Sequence, residues 1–281
     1  MDEVDFYLKD LASRFPKDRE NYYLSYSGGK DSHLLYWFIK EYLCDDKIQI
    51  ISMNTYMEHP EIFARMKKYT DVILIPKMKP SEIKEKFGIP CFSKAQDDVI
   101  YYIQKGSKSE SRLRRFYATD DSMHNVSKKA REYVLSGHAH KISPLCCKYL
   151  KKEPFREFER ETGKHPILGV RGVESLQRSS QYKSCFTKDG KFTPLWDLTD
   201  SMLDKIYQKF DIEIPNIYNY VSRTGCMGCP YGSWKGDTKI ELDLLPANKR
   251  WFIINYFKES YDVLGIDYKH QQLNLILEEV K

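Results

Sequence analysis

The 281-residue chain has no apolar run approaching the roughly 18 residues that a membrane-spanning helix requires. Its opening, MDEVDFYLKDLASRF, is acidic and lacks the apolar core of a signal peptide. These absences lead to the expectation of a cytoplasmic protein with no membrane partner. Internal repeats and low-complexity tracts are missing too, which excludes solenoids, propellers and compositionally driven disorder. Cysteine is sparse: seven, an odd number, do not make a secreted disulfide framework in a chain of this size. In a reducing compartment they are buried thiols or ligands. Charge of one sign is in only small excess. A formal net charge of +5, with 30% charged residues, suits an anionic small molecule and does not by itself demand nucleic acid.

What is present is ample core-forming material, with 41% hydrophobic residues, 21 Tyr and 14 Phe. YYLSYS, KIQIISMNT, DVILIP and HPILGV read as strands. Between them lie helical stretches: an amphipathic one in residues 1–20 ending near Pro16, Ser32–Leu43, and one after EHPEI through Lys68. Strands alternating with helices predict an α/β fold with a doubly wound, mostly parallel sheet. The reading divides the chain into an α/β domain over 1–190 and a smaller, helical and loop-rich region over 191–281. Thr199 is the expected N-cap of a helix in the latter region, and a long helix is expected from Pro246 to Leu264.

The stretch SGGKDS, Ser27 to Ser32, follows the first strand and opens a helix. Its spacing is too short for a Walker loop. Gly28 and Gly29 let backbone amides approach an anion, Ser27 and Ser32 add hydroxyls, and Lys30 adds a point charge. The first amides of the helix are unpaired and its dipole favours negative charge. Asp31 beside phosphates implies either a magnesium ion or an ordering hydrogen bond. The blander reading is a Gly-Gly turn with Ser32 as helix N-cap.

Four cysteines form two tight pairs, Cys146–Cys147 and the CxxC pair Cys226–Cys229. Their spacing leaves three readings open: a zinc site, an iron–sulfur cluster, or buried thiols. Neighbouring side chains diverge, so a tandem Cys-Cys is awkward around one tetrahedral ion and easier at the separated corners of a cluster.

SGGKDS is similar to the PP-loop of the ATP pyrophosphatases, the adenine nucleotide alpha hydrolase-like superfamily, which split ATP between the α and β phosphates. CCKYLKKEPFREFERETGKHPILGVRGVES, FTPLWDLTDSMLDKIYQKFDIEIPNIY and RTGCMGCPYG resemble, in order, segments of the phosphoadenosine phosphosulfate (PAPS) reductase family. The resemblance covers most of residues 20–235. It implies a Rossmann-like fold of the adenine nucleotide alpha hydrolase type, a [4Fe–4S] cluster on Cys146, Cys147, Cys226 and Cys229 (zinc being the alternative), and MgATP on Ser27, Gly28, Gly29, Lys30, Asp31 and Ser32. It adds Thr55, Arg171 and Arg178 to the nucleotide site, with Lys30, Asp31 and Arg171 as catalytic candidates. Arg suits such a place because its planar fork grips an oxyanion at two points.

Two departures from the reductases matter. The chain keeps Lys30 and Asp31, which the reductase loop lacks, and no cysteine follows Cys229 to act as the sulfur nucleophile of a reductase tail. The resemblance therefore implies an ATP pyrophosphatase that adenylates an acceptor in sulfur metabolism. The alternatives are a PAPS or APS (adenosine phosphosulfate) reductase with a relocated nucleophile, at Cys91 or Cys185, and a non-catalytic nucleotide-binding or regulatory subunit. The basic stretches between 105 and 164 read as solvated helix faces or as a tRNA or DNA acceptor surface. RWFIINYF reads as either core or the face of a homodimer or other protein partner.

Overall fold

A run rich in aromatic and apolar residues ending at a glycine turn favours a strand buried on both faces. The computed structural model, which describes residues 2–269 apart from 121, 123 and 175, forms this strand at Tyr22–Ser25. In chain order the elements begin α1 (Glu3–Arg14), β1 (Tyr22–Ser25), α2 (Lys30–Trp37), β2 (Gln49–Met53), α3 (Pro60–Tyr69) and β3 (Val72–Leu74). Then come α4 (Pro80–Phe87), α5 (Lys94–Gln104), α6 (Glu110–Tyr117), α7 (Lys128–Leu135) and α8 (Glu153–Thr162). The remainder are β4 (His165–Ile167), α9 (Leu176–Gln181), α10 (Asp200–Lys209), α11 (Asp237–Leu244) and α12 (Ala247–Leu264).

The chain groups into two compact units made of alternating segments. The first comprises Met1–Asn54, Pro60–Ile75 and Pro154–Tyr218; the second comprises Thr55–His59, Pro76–Glu153 and the residues from Asn219 onward. A single boundary at 190 is the expectation from sequence. The contacts interleave because the short turn after β2 and the helices between β3 and β4 share a core with the C-terminal helices: Met57, Ile83, Met227 and Ile253 pack in one cluster.

The first unit carries the sheet, parallel throughout, in the order β3–β2–β1–β4. Leu24 of β1 lies in register with Ile50 on one side and Ile167 on the other. Successive strand residues point to opposite faces. Tyr23 packs under α8 against Phe155 and Phe158, while Tyr22, on the other face, meets Phe192, which in turn packs edge-on against Phe15 at the end of α1. Both faces are covered, as a doubly wound sheet requires. Helix α1 is set by a capping box in which Asp2 and Asp5 accept each other's amides, and it buries Val4, Leu8 and Leu11 along one stripe. Thr199 caps α10, as its position in the sequence predicts, accepting from the Met202 amide at 3.2 Å.

Helix α2 presents His33 to an aromatic cluster in the same unit. The ring is 4% exposed, its Nδ1 lies 2.9 Å from the Tyr26 hydroxyl, and Tyr36 stacks on it. Burial, then the charges of Arg65 and Lys68, hold its pKa down from 6.5 to about 3. The folded state keeps His33 neutral where the unfolded chain takes up a proton. Stability should therefore fall as pH drops below 6.5, by about 2 kcal/mol between pH 7 and pH 5. Urea unfolding of wild type and His33→Gln at the two pH values checks this. An equal pH dependence in both proteins would rule His33 out as its source.

The second unit is helical. Its core is built on α12, which buries Ile253, Ile254, Tyr256 and Phe257, so RWFIINYF is largely core, with Trp251 left 59% exposed.

Candidate functional site

The order of the sheet reverses at β1, whose neighbours β2 and β4 lie on opposite sides. In parallel α/β sheets the crevice at the carboxyl ends of such a strand pair is the usual ligand site. Both loops that flank it belong to the first unit: SGGKDS after β1, and LGVRG after β4.

Gly28 takes φ +75°, a left-handed conformation, and a Cβ there would lie 2.9 Å from Ile62 Cγ2. Glycine is required on both counts. The helix N-cap is Gly29 and α2 begins at Lys30, so Ser32 sits in the first turn rather than at the cap. Its Oγ accepts the Ser27 amide at 3.2 Å, lies 3.1 Å from Ser27 Oγ and donates to the Gly29 carbonyl at 3.0 Å. Ser32 therefore ties the loop closed from inside, while Ser27 is exposed at its rim. The first-turn amides of α2 have no intrahelical partners.

Arg171, on the loop after β4, is buried between two carboxylates. Its Nε lies 2.7 Å from Asp31 Oδ1, an ion pair out of line for a hydrogen bond, and its Nη1 donates to Asp200 Oδ1 at 2.7 Å. Burial raises the Asp31 pKa, and Arg171 opposes that shift. Asp31 is thus ion-paired with an arginine without a hydrogen bond between the two. Arg178 pairs with Glu174 one turn earlier and also acts electrostatically on Asp31. Ser175, the last residue of GVRGVES, lies outside the described residues. Gly169 makes the closest approach across the crevice: a Cβ there would lie 2.9 Å from both Asp31 C and Ser32 N. Only a glycine lets the β4 exit run this close to the start of α2.

Two tyrosines bracket Lys30. Tyr207 donates to the Lys30 carbonyl at 2.7 Å, and the Tyr218 hydroxyl accepts the Lys30 amide at 3.2 Å. The Lys30 ammonium lies 4.7 Å from the centre of the Tyr218 ring. Neither tyrosine carries a local sequence signal. Gly169, by contrast, stands in LGVRG two residues before Arg171 and could have been singled out there.

In the second unit the four paired cysteines come together, each perturbed by others of the set. The Cys146 thiol donates to Cys147, which lowers the pKa of Cys147 and raises that of Cys146. Burial raises Cys226 and Cys229. Lys151 hydrogen-bonds Cys226. The backbone of the CxxC knuckle is held at several points: Met227 N–H to the Met57 carbonyl, Gly228 N–H to Glu241 at 3.0 Å, Cys229 N–H to the Cys226 carbonyl, and the Gly228 carbonyl to the Tyr261 hydroxyl. Among the described residues no group of three or more His, Cys, Asp or Glu side chains is set around a single metal ion. Four thiols with an ammonium beside them have the donor chemistry of an iron–sulfur site, whose corners stand farther apart than the ligands of one ion.

Thr55 belongs to this second unit. Its hydroxyl donates to Glu58 at 2.5 Å and accepts the Met57 amide at 3.2 Å, closing a turn whose Glu58 pairs with Cys226. In the basic stretch, Arg115 donates to the carbonyls of His124 and Ala95, and Arg131 to those of Phe116 and Ala118. These two arginines hold loops together, whereas Lys108, Arg114 and Lys129 are exposed.

No family model matches the chain, and no curated protein does. Several solved structures are similar to it. The phosphoadenylyl-sulfate (PAPS) reductase of Candida auris, in a phosphate complex, is 15% identical with a TM-score of 0.41, over 77% of this chain and 83% of that one. The U34-tRNA thiolase NcsA of Methanococcus maripaludis, with its [4Fe-4S] cluster, is 11% identical with a TM-score of 0.39, over 92% and 78%. The NMN synthetase of Francisella tularensis is 11% identical with a TM-score of 0.37, over 94% and 96%.

Proposed function

We propose that the chain is a PP-loop ATP pyrophosphatase that adenylates an acceptor in sulfur metabolism. The observation that carries this reading is the glycine-bounded loop Ser27–Ser32, opening α2 at the strand where the sheet order reverses, with Gly169 on its far side. MgATP binds with its β and γ phosphates on the loop amides and Lys30. An acceptor oxygen attacks the α-phosphorus in line, the bond to the bridging oxygen breaks, and pyrophosphate leaves with that oxygen. Lys30, the amides and the substrate's magnesium offset the charge that builds up. Arg171 keeps Asp31 charged and oriented beside them. Cys146, Cys147, Cys226 and Cys229 would hold a [4Fe–4S] cluster, which supplies electron transfer or a structural brace. Exposed Lys108, Arg114 and Lys129 are the candidate contacts for a tRNA or DNA acceptor.

A reductase with a relocated nucleophile is less well supported. A thiol nucleophile needs a depressed pKa, whereas burial pushes Cys91 up to about 12 and raises Cys185 as well.

Calorimetry on anaerobically purified protein tests the reading. MgATP should bind more tightly than PAPS or APS, and Lys30→Ala should weaken it by about ten- to a hundredfold, the worth of a charge-assisted contact. Iron and acid-labile sulfide should each be near four per chain, as a cubane requires. Tighter binding of a sulfonucleotide, indifferent to Lys30, would transfer the assignment to the reductase. Absence of iron would remove the cluster.

A further inference from the structure

Lys30 meets its two tyrosines with groups of opposite polarity. Tyr207 donates to the Lys30 carbonyl, an acceptor that an anion has no use for. Tyr218 instead takes the Lys30 amide with its hydroxyl and the Lys30 ammonium with its ring. Those are the two cationic or donor groups that a phosphate on this loop would need. We propose that Tyr218 is a built-in competitor for the phosphate site, standing on Lys30 in the free protein and displaced by the incoming phosphoanion. The inference rests on the reading of SGGKDS as a phosphate loop.

The position of Tyr218 is built, not incidental. It lies on a short turn, Asn216–Asn219, whose amides are gripped from α3: Asn216 N–H donates to Glu61 Oε1 at 2.6 Å and Ile217 N–H to Glu61 Oε2 at 3.0 Å. The Tyr218 amide closes the turn on the Pro215 carbonyl at 3.1 Å. Glu61 thus delivers the half-buried ring to Lys30.

The contact is also weak enough to be replaced. At 3.2 Å the amide–phenol bond is at the long end of the N–H···O range, and the acceptor is neutral. A phosphate oxygen makes a charge-assisted bond roughly twice as strong and pairs directly with the ammonium. The anion wins, but against a standing occupant, so the protein binds phosphate less tightly than the bare loop would. Tyr207 stays in place throughout, because its bond to the carbonyl is compatible with either occupant.

Titration with inorganic pyrophosphate in the presence of magnesium tests this on the full chain. Tyr218→Phe keeps the ring and removes the competing hydroxyl, and should bind about three- to tenfold more tightly than wild type, the range of one neutral hydrogen bond. Tyr218→Leu also frees the ammonium and should bind at least as tightly as Tyr218→Phe. Lys30→Ala, which removes the charge, should bind more weakly than all three. Equal or weaker binding by Tyr218→Phe, with Lys30→Ala still impaired, overturns the competitor role and leaves the phosphate loop standing. A tyrosine that positions Lys30 for the ligand would give that result. Pyrophosphate binding by none of the proteins overturns the phosphate reading of the loop, and the inference with it.

Discussion

Gly169→Val should lower MgATP affinity by at least about a hundredfold, close to 2.8 kcal/mol of binding free energy, in a protein that still folds. The added Cβ would enter a space bounded by backbone, 2.9 Å from Asp31 C and Ser32 N, and neither atom belongs to a side chain that can swing away. Relief must come from moving the β4 exit or the first turn of α2. Either shift opens the crevice and misdirects the amides on which the proposed phosphate site depends. Overpacking of this kind costs about 1–3 kcal/mol of stability, which most domains survive. Calorimetric titration together with a melting curve separates the two effects. A Gly169→Val protein that melts lower yet binds MgATP normally would mean that the approach serves packing alone.

Arg171→Ala should be the most destabilising polar substitution at the site, by about 3 kcal/mol. It removes the partner of Asp31 while leaving that carboxylate enclosed, and an uncompensated buried charge costs more than the pair contributes. The sign with pH follows. Burial already raises the Asp31 pKa above 3.8, and loss of Arg171 raises it further. Protonation then removes the offending charge, so the deficit of Arg171→Ala should be largest near neutral pH and shrink as pH falls toward 3.8. Asp31→Asn in the same background should recover much of the loss at pH 7. Denaturant unfolding of both single variants and the double variant, at pH 7 and pH 5, provides the measurement. A deficit that neither low pH nor Asp31→Asn reduces would mean that Arg171 contributes packing, not charge.

Much of the first unit was legible because its physics is local. Hydrophobic runs of strand length, separated by helical periodicity, imply a parallel sheet, and all four expected strands form and pair in parallel. The glycine loop was legible for the same reason, since strand, turn and helix start are contiguous. What escaped depended on distant parts of the chain. Tyr207 and Tyr218 reach Lys30 across 177 and 188 residues, and no periodicity in either neighbourhood points there. The blander reading of Ser32 as an N-cap rests on residue type alone, which favours serine there. The extended backbone of Gly29 takes the cap instead, and the serine folds back onto Ser27. The cysteine pairs could be grouped by spacing, but Glu241 and Tyr261, which hold the knuckle from α11 and α12, carry no motif.

The alternating assembly of the two units has a practical consequence for dissecting this gene. The chain passes from one unit to the other at 54/55, 59/60, 75/76, 153/154 and 218/219. No single stop codon or start site releases either unit whole. A fragment ending at 190 would carry the entire sheet yet lose both Tyr207 on α10 and Tyr218 on the turn after it, and it would leave Cys146 and Cys147 without the CxxC knuckle. Separating the roles of the Ser27–Ser32 loop and of the paired cysteines will therefore take point substitutions in the intact chain, since shortened versions would damage both together.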